Sequence, residues 1–358
     1  MKDTSKPKEK NVLVNVTIDA SVLAIPAVPT KSSIERYVER LLDWKGLQRD
    51  SWVDVNTSKF ADKMLYEDNL YPDYGTMKQM FSRNGVEKYN WQDVALLVQN
   101  LMYQTSYIED SLEQKGIEVE EISAEQITTE PDIFKNCPGV QIQNDLKRCV
   151  VLLAASQSLS KKKIPCHVLA HHATQTKSIK VSALVYGITS FEDKGAIQLK
   201  SAKHLVENIL VAVDSRGIIE YVDEAEILLK ATSDIELHEA VKIASCKNNS
   251  TNCLLPEYII GTEFLSSIIE RLTFKPELAK SLLRAIVETL AGSNMNDTHK
   301  LRTGKSGGSP NRKRGGDNAE AWRRDIDRDH HLHYWKGNNC LEFACVSYPH
   351  DNFDIPEN

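Results

Sequence analysis

The chain has 358 residues, more than the roughly 100 to 200 of an ordinary domain, which excludes a single small module and predicts two or three domains. Hydrophobic residues make up 41% of the sequence and charged residues 26%, which excludes wholesale disorder and a collagen-like chain. The 44 lysines and arginines are outweighed by 50 acidic residues, so the net charge is −6 and any nucleic-acid site is expected to be local.

The compartment is predicted from features that the sequence lacks. The polar amino-terminal arm has no apolar core of signal-peptide length, and the apolar runs 150–155 and 209–213 are far shorter than the roughly 20 residues that cross a bilayer. We therefore expect a cytoplasmic protein with no membrane partner. The seven cysteines show no CxxC spacing, which favours reduced thiols over a disulfide framework or a zinc ribbon.

The first part of the chain is predicted to combine a strand with helices. Val12–Ile18 reads VLVNVTI, which is the β-branched pattern of a buried strand, and it ends at Asp19. Apolar residues at helical spacing predict a helix over Ser33–Trp44, which Ser33 can cap, and another helix over Asp93–Met102. The glutamate-rich stretch 117–130 is expected to be a solvated connector or a helix.

The middle of the chain mixes both element types. Residues 149–155 predict a buried strand or helix, and 168–185 contain strand-like pieces around a polar centre. The apolar segments 209–213 and 218–222 flank the tetrapeptide Asp-Ser-Arg-Gly at 214–217, which predicts a β-hairpin.

The carboxy-terminal region has the most regular patterns. Apolar residues recur at helical spacing over 260–272 and 278–290, which predicts two amphipathic helices. The basic, glycine-rich stretch 292–318 is expected to be an exposed loop. Three short strand patterns separated by turn residues follow, at Ala321–Ile326, His331–Trp335 and Cys340–Val346.

These patterns predict a multidomain α+β protein with mixed α/β elements. We expect an N-terminal α/β domain over residues 1–130 and a mixed α/β middle region over 131–255. The C-terminal module, residues 256–358, is expected to join the helix pair to a three-stranded antiparallel meander.

The C-terminal order of a helix pair, a basic loop and the strands WRRDI, HLHYW and LEFACV resembles the RelE/ParE toxin fold. Members of that family cut messenger RNA on the ribosome with basic and aromatic residues of a concave sheet, without a cofactor, and some relatives poison gyrase. The resemblance implies catalytic side chains at Arg324, His331, His333, Tyr334 and His350. Histidine stands at two of these positions where the family usually has arginine.

The same residues can be interpreted without the family. Cleavage of RNA by its own 2′-hydroxyl needs a base, a proton donor and a cation, and histidine can serve as the first two. His331 and His333 are two residues apart on a predicted strand and share a face, while Arg323 or Arg324 can supply the cation from the neighbouring strand. The residues predicted to bind the nucleic-acid backbone are Lys300, Arg302, Lys305, Arg312, Lys313, Arg314 and Arg323.

Two zinc or iron sites are alternative interpretations. The pair His331 and His333 can chelate a metal if His350, Asp351 or Glu342 supplies a third ligand. Cys166 and His167 together with His171 and His172 form a second possible ligand group.

The segment VTIDASVL, in which a strand ends at Asp19, resembles the opening of PIN-type nucleases. That family collects three or four carboxylates around magnesium or manganese, so the resemblance implies a metal ligand at Asp19. Asp93 and Asp214 are the further acids predicted for this site. Clustered carboxylates need a hard cation to stay ionised together, and that cation activates water on a phosphodiester.

The sequence therefore predicts an endoribonuclease or an RNA- or ribosome-binding toxin-like protein of a bacterial toxin or antiphage defence system. Its expected partners are RNA, the ribosome, or a protein of a toxin–antitoxin complex. Two alternatives stay open. One is a PIN-like nuclease that uses Asp19 with magnesium or manganese, and the other is a non-catalytic module that docks nucleic acid or an acidic partner through residues 300–314.

Overall fold

The computed structural model describes residues 12–114, 117–118, 123–159, 166–171, 176–186, 189–192, 195–198, 203–248, 255–304, 308–338, 340–349 and 354–357. The chain divides into two compact units, Met1–Tyr221 (the first unit) and Val222–Asn358 (the second unit). Both contain helices and strands, so the predicted multidomain α+β class is confirmed. Among the described residues, no helix is both long and apolar enough to cross a membrane.

The strands of the first unit are β1 (Val14–Ile18), β2 (Val53–Thr57), β3 (Ser106–Tyr107), β4 (Ile117–Glu118), β5 (Ser123–Glu130), β6 (Cys166–Ala170), β7 (Ser178–Tyr186), β8 (Thr189–Glu192), β9 (Gly195–Gln198) and β10 (Lys203–Ala212). Its helices are α1 (Ala20–Leu23), α2 (Lys31–Leu47), α3 (Ala61–Glu67), α4 (Tyr74–Arg83), α5 (Trp91–Tyr103), α6 (Ile108–Gln114), α7 (Val140–Leu159) and α8 (Ser215–Ile219).

Seven of these strands form one sheet in the order β3-β2-β1-β6-β10-β7-β5. The first five run parallel, while β7 and β5 are antiparallel to their neighbours. The parallel strands therefore end at one common edge, and ligands of open parallel sheets are usually bound at that edge. A smaller sheet contains β4, β8 and β9.

The centre of this sheet is covered on both faces. Every residue of β1 is buried, which explains why its sequence is a nearly continuous β-branched run rather than an alternating one. Helix α7 packs against β10 and β7, and the apolar segment 149–155, for which strand and helix were both open, belongs to this helix.

The predicted helices of the first unit are present with shifted ends. Helix α2 begins at Lys31, two residues before the predicted cap Ser33, because Thr30 is its N-cap, and Thr30 and Ser33 form a reciprocal capping box. Helix α5 is capped by Asn90 and includes the predicted segment Asp93–Met102.

Two predictions for the first unit are wrong. Residues 123–130 of the glutamate-rich stretch form the edge strand β5, which places Ala124 and Ile127 against the core and leaves Glu125 and Glu130 exposed. The predicted hairpin over 209–222 is instead the end of β10 followed by helix α8. The Asp214 carboxylate accepts a hydrogen bond from the Gly217 backbone at 3.0 Å and caps this helix.

The second unit contains α9 (Glu224–Lys230), α10 (Asp234–Asn248), β11 (Tyr258–Ile260), α11 (Phe264–Phe274), α12 (Leu278–Ala291), β12 (Thr298–Lys300), β13 (Glu320–Asp325), β14 (His331–Lys336) and β15 (Leu341–Ser347). Its sheet has the order β11-β15-β14-β13-β12, and the predicted antiparallel meander corresponds to β13, β14 and β15. The expected loop 292–318 includes strand β12, which pairs with β13. Gly292 ends α12 with a left-handed φ of 64°.

The division of the chain differs from the three predicted regions. Strands on both sides of residue 130 hydrogen-bond in one sheet, so the segments 1–130 and 131–221 belong to one unit. The prediction of reduced thiols is wrong for Cys246, which is disulfide-bonded, while Cys137, Cys149, Cys166, Cys340 and Cys345 are free.

Candidate active site at the carboxyl edge of the first sheet

Four titratable side chains lie buried where the parallel strands of the first unit end. Asp19 directly follows β1, His171 directly follows β6, Glu109 is in the first turn of α6 after β3, and Asp145 comes from α7. Their exposed fractions are 0% for Asp19, 2% for His171, 3% for Glu109 and 2% for Asp145. We call Asp19, Glu109 and Asp145 the carboxylate cluster.

Asp19 is fixed by the start of α1 and by His171. Its Oδ1 accepts a hydrogen bond from the Ser21 backbone at 2.6 Å, and its Oδ2 lies 3.3 Å from His171 Nδ1. The Ser21 hydroxyl lies 3.5 Å from the same ring nitrogen. The buried carboxylate and imidazole therefore orient each other.

Asp145 lies beside the first turn of α1. Its Oδ2 accepts a hydrogen bond from the Ala20 backbone at 3.1 Å, while its buried Oδ1 has no hydrogen-bond partner. Burial raises the pKa of Asp145 to about 7, and the negative charges of Asp19 and Glu109 act in the same direction. Hydrogen bonds from the Ser58 side chain and from the Ala20 backbone oppose this shift only in part. Asp145 is thus a buried carboxyl group whose negative charge these hydrogen bonds compensate only in part.

Glu109, by contrast, has direct partners for both oxygens. The Lys59 backbone donates to its Oε2 at 3.1 Å, and Arg148 Nε donates to its Oε1 at 3.3 Å. The Arg148 guanidinium also lies 4.6 Å from the centroid of the Phe60 ring. This ion pair offsets the charge of Glu109 and places a cation next to the carboxylate cluster.

Two cavities reach this group of residues. One, of about 200 Å³, is lined by Phe60, Met64, Asn144, Asp145 and Arg148. The other, of about 270 Å³, has Ser21 in its wall. A small ligand can therefore approach Asp145 from one cavity and Ser21 from the other.

No group of three or more His, Cys, Asp and Glu side chains close enough to hold a metal ion is present among the described residues. A magnesium ion does not need such a group, because it is usually bound by one or two carboxylates, waters and substrate phosphates. Asp19 and Asp145 supply two carboxylates beside consecutive backbone amides of α1.

The other acids predicted for this site lie at helix starts. Asp93 is exposed in the first turn of α5, and Asp214 is the exposed cap of α8. The structure therefore pairs Asp19 with Asp145 and Glu109, which the sequence interpretation missed. The available signal was weak: Asp145 is an acid one helical turn before the apolar run that begins at Cys149.

Most of the residues predicted to be catalytic in the second unit are buried. The exposed fraction is 0% for His331, 0% for His333, 3% for Tyr334 and 1% for Arg324. Arg324 forms an ion pair with Glu288 at 2.7 Å, which ties β13 to α12. His350 lies outside the described residues.

The carboxy-terminal segment covers the histidine face of this sheet. His333 Nδ1 donates to the Asp354 carbonyl at 2.9 Å, and Trp335 Nε1 donates to the Pro356 carbonyl at 2.7 Å. Burial lowers the pKa of His333 to about 4, so this ring is neutral at physiological pH. His331 Nδ1 lies 2.8 Å from the Asp325 carboxylate.

The predicted nucleic-acid-binding residues divide into two groups. Lys300 is ion-paired with Glu320, Arg312 lies 3.9 Å from Asp354, and Arg314 contacts both Asp317 and Glu342. Four other residues are placed differently: Arg302 and Lys313 are exposed, Arg323 is partly buried opposite His333, and Lys305 lies outside the described residues.

The alternative zinc ligands are not gathered around a common point within the described chain. Glu342 is ion-paired with Arg314 at 2.8 Å, and His167 contacts the Ser156 hydroxyl at 3.1 Å. His172 and Asp351 lie outside the described residues.

Comparisons of the chain with models of known protein families, with curated proteins and with solved structures find no match.

Proposed function

We propose that this protein is a magnesium- or manganese-dependent nuclease whose active site is formed by Asp19 and Asp145 of the first unit. The observation that carries the proposal is Asp145: a buried carboxyl group with one oxygen unpartnered, beside two other acids. The PIN-type resemblance of the segment ending at Asp19 points to the same chemistry.

Buried carboxylates are destabilised unless a positive charge or hydrogen bonds offset them, and like charges raise one another's pKa. Arg148 offsets Glu109 but leaves Asp19 and Asp145 close together. A divalent cation between these two would keep both ionised, which fits the free oxygen of Asp145. When bound, such an ion activates water and stabilises the charge that develops on a phosphodiester.

The neighbouring residues have supporting roles. His171 orients Asp19 through the 3.3 Å contact between Nδ1 and Oδ2. Arg148 lines the same cavity as Asp145, so its guanidinium can attract a substrate phosphate to that side of the site. Glu109 positions Arg148 by accepting from its Nε.

Cleavage of a labelled single-stranded RNA oligonucleotide tests the proposal. We expect cleavage by the full chain in MgCl₂ and none in EDTA. Asp145→Asn removes a ligand charge without changing side-chain volume and should lower the rate by about 100-fold or more. The matched control is Asp93→Asn, which neutralises an exposed acid of α5 and should cleave like the unaltered protein.

Cleavage that persists in EDTA would contradict this assignment. So would equal losses in Asp145→Asn and Asp93→Asn, because that result would trace the effect to overall charge. If His331→Ala with His333→Ala abolished cleavage in a folded protein while Asp145→Asn did not, the RelE-like alternative would replace this proposal.

For the second unit we propose nucleic-acid binding rather than RelE-like cleavage. The ammonium groups of Lys300 and Lys336 lie 5.2 Å and 5.5 Å from the centroid of the Trp322 ring. An aromatic ring among lysines is suited to hold bases by stacking and phosphates by charge. His331 and His333, two of the histidines implied by the RelE/ParE resemblance, are buried, which favours the binding role.

A further inference from the structure

Two arginines share the cavity next to Asp19. Arg36 and Arg40 lie one turn apart on α2, and both line the cavity of about 270 Å³ that also has Ser21 in its wall. Arg36 is exposed and Arg40 is partly buried. The cavity is therefore lined both by these two arginines of α2 and by Ser21 at the start of α1.

Neither arginine forms an ion pair in the part of the chain that the structure describes. Like charges four residues apart on a helix repel each other and destabilise it. Burial lowers the pKa of Arg40, and the charge of Arg36 lowers it further, while Asp214 acts in the opposite direction from beyond ion-pair distance. A bound anion would offset this repulsion.

The cavity adjoins the carboxylate cluster through two independent segments. Ser21 donates its backbone N–H to Asp19 and places its hydroxyl 3.5 Å from His171 Nδ1. Asn136 and Pro138 also line the cavity, and they flank Cys137, whose pKa is raised by burial and by the charge of Asp19. An anion held by the arginines would thus lie beside Asp19 without entering the carboxylate cluster itself.

We infer that the Arg36–Arg40 cavity binds a backbone phosphate of single-stranded RNA next to the bond that is cut. Arginine forms paired hydrogen bonds with phosphate oxygens, and two guanidinium groups can hold one phosphate from two sides. The cavity is too small to admit a duplex but can take one phosphate with part of its sugar. This inference rests on the proposed nuclease function, because that function supplies the phosphodiester.

Fluorescence anisotropy with a labelled single-stranded RNA oligonucleotide in EDTA tests the inference without any cleavage. The double variant Arg36→Ala with Arg40→Ala should bind roughly tenfold more weakly or worse. Its salt dependence should also be shallower, by about 0.7 in log–log slope for each phosphate that the variant no longer binds. The matched control is Arg49→Ala, an exposed arginine beyond the end of α2 that does not line the cavity, and its affinity should not change.

Two further measurements separate this inference from its alternatives. The variant Arg36→Lys with Arg40→Lys keeps the charge but loses the paired hydrogen bonds, so it should recover only part of the affinity. Inorganic phosphate should compete only weakly; competition at the affinity of the oligonucleotide would assign the cavity to a free anion and overturn the inference. Thermal unfolding of each variant checks that the fold is retained.

Unchanged RNA affinity in the folded double alanine variant would overturn the inference, as would an equal loss in Arg49→Ala. The two proposals fail separately. If the double variant binds RNA more weakly but cleavage persists in EDTA, the metal-dependent nuclease is rejected and the phosphate-binding role of the Arg36–Arg40 cavity is retained. If cleavage depends on metal but the double variant binds RNA with unchanged affinity, the phosphate-binding role is rejected and the nuclease proposal is retained.

Discussion

Buried ionisable groups in this protein occur in two contrasting environments. In the first unit, Asp145 keeps an unpartnered oxygen and a pKa raised to about 7. In the second unit, Arg324 is held by Glu288 and by the Ser293 carbonyl, so its charge is compensated. A compensated buried ion pair is typical of a structural role, whereas an uncompensated buried acid is more often found at a functional site.

The buried, neutral ring of His333 should make the stability of the protein depend on pH. Its pKa is about 4 in the folded chain, below the ordinary value of 6.5. Above about pH 6.5 the ring is neutral in both states and its contribution to stability is complete. As the pH falls towards 4, the unfolded chain takes up a proton that the folded chain does not. The free energy of unfolding should therefore fall by roughly 3 kcal/mol between pH 7 and pH 4 because of this one residue.

Urea unfolding of the unaltered protein and of His333→Asn across this pH range measures the effect. Asparagine keeps a donor near the Nδ1 position but does not titrate. The difference in unfolding free energy between the two proteins should shrink towards acid pH, and His299→Asn, at an exposed site, is the control substitution. A difference that stays constant with pH would contradict a buried neutral His333.

Sequence patterns predicted the helices and strands whose formation depends on residues close together in the chain. Strand β1 and helices α11 and α12 were found because their apolar periodicity is continuous, and Gly292 after α12 marks its end. The predicted start of α11 was wrong, because Ile260 belongs to β11 and the helix begins at Phe264. Strand β5 was not found, because its pairing partner β7 lies about 50 residues later and its exposed glutamates are typical of a connector.

The candidate site was predictable only in part for the same reason. Asp19 was identified because it follows a strand in sequence. Asp145 and Glu109 join it through the parallel order of β3, β2, β1 and β6, which brings together helices that start far apart in the chain. No spacing rule in the sequence connects residues 19, 109 and 145. In the second unit the three strands of the meander were predicted correctly, but β11 and β12 were not, and the covering of His333 and Trp335 by residues 354–356 is a long-range packing effect.

In the sheet of the second unit, Trp322 of β13 is expected to bind RNA by stacking on a base. Trp322→Ala should weaken binding of single-stranded RNA by about 1–3 kcal/mol, because one stacked base is lost. The matched control is Phe274→Ala at the end of α11, an aromatic side chain that is 82% exposed. Nitrocellulose filter binding in EDTA measures both variants. Equal affinities for Trp322→Ala and the unaltered protein would rule out stacking at Trp322.

At the scale of the whole molecule, the acidic average of the sequence hides two local concentrations of positive charge. One is the Arg36–Arg40 cavity of the first unit, and the other is the pair of lysines beside Trp322 in the second, of which Lys300 is also ion-paired with Glu320. A net charge of −6 is therefore compatible with RNA as the substrate, because attraction depends on the local field. We therefore propose that the first unit cuts RNA and that the second unit contributes affinity.

The proposed nuclease requires a divalent cation between Asp19 and Asp145. Crystals of the full chain grown with MnCl₂ test it directly, because manganese gives an anomalous signal that locates the ion anywhere in the molecule. We expect an anomalous peak in contact with both carboxylates, and no peak there in crystals of Asp145→Asn. A peak only elsewhere, or no peak in crystals grown with MnCl₂ in which the fold is retained, would contradict a cation site between Asp19 and Asp145.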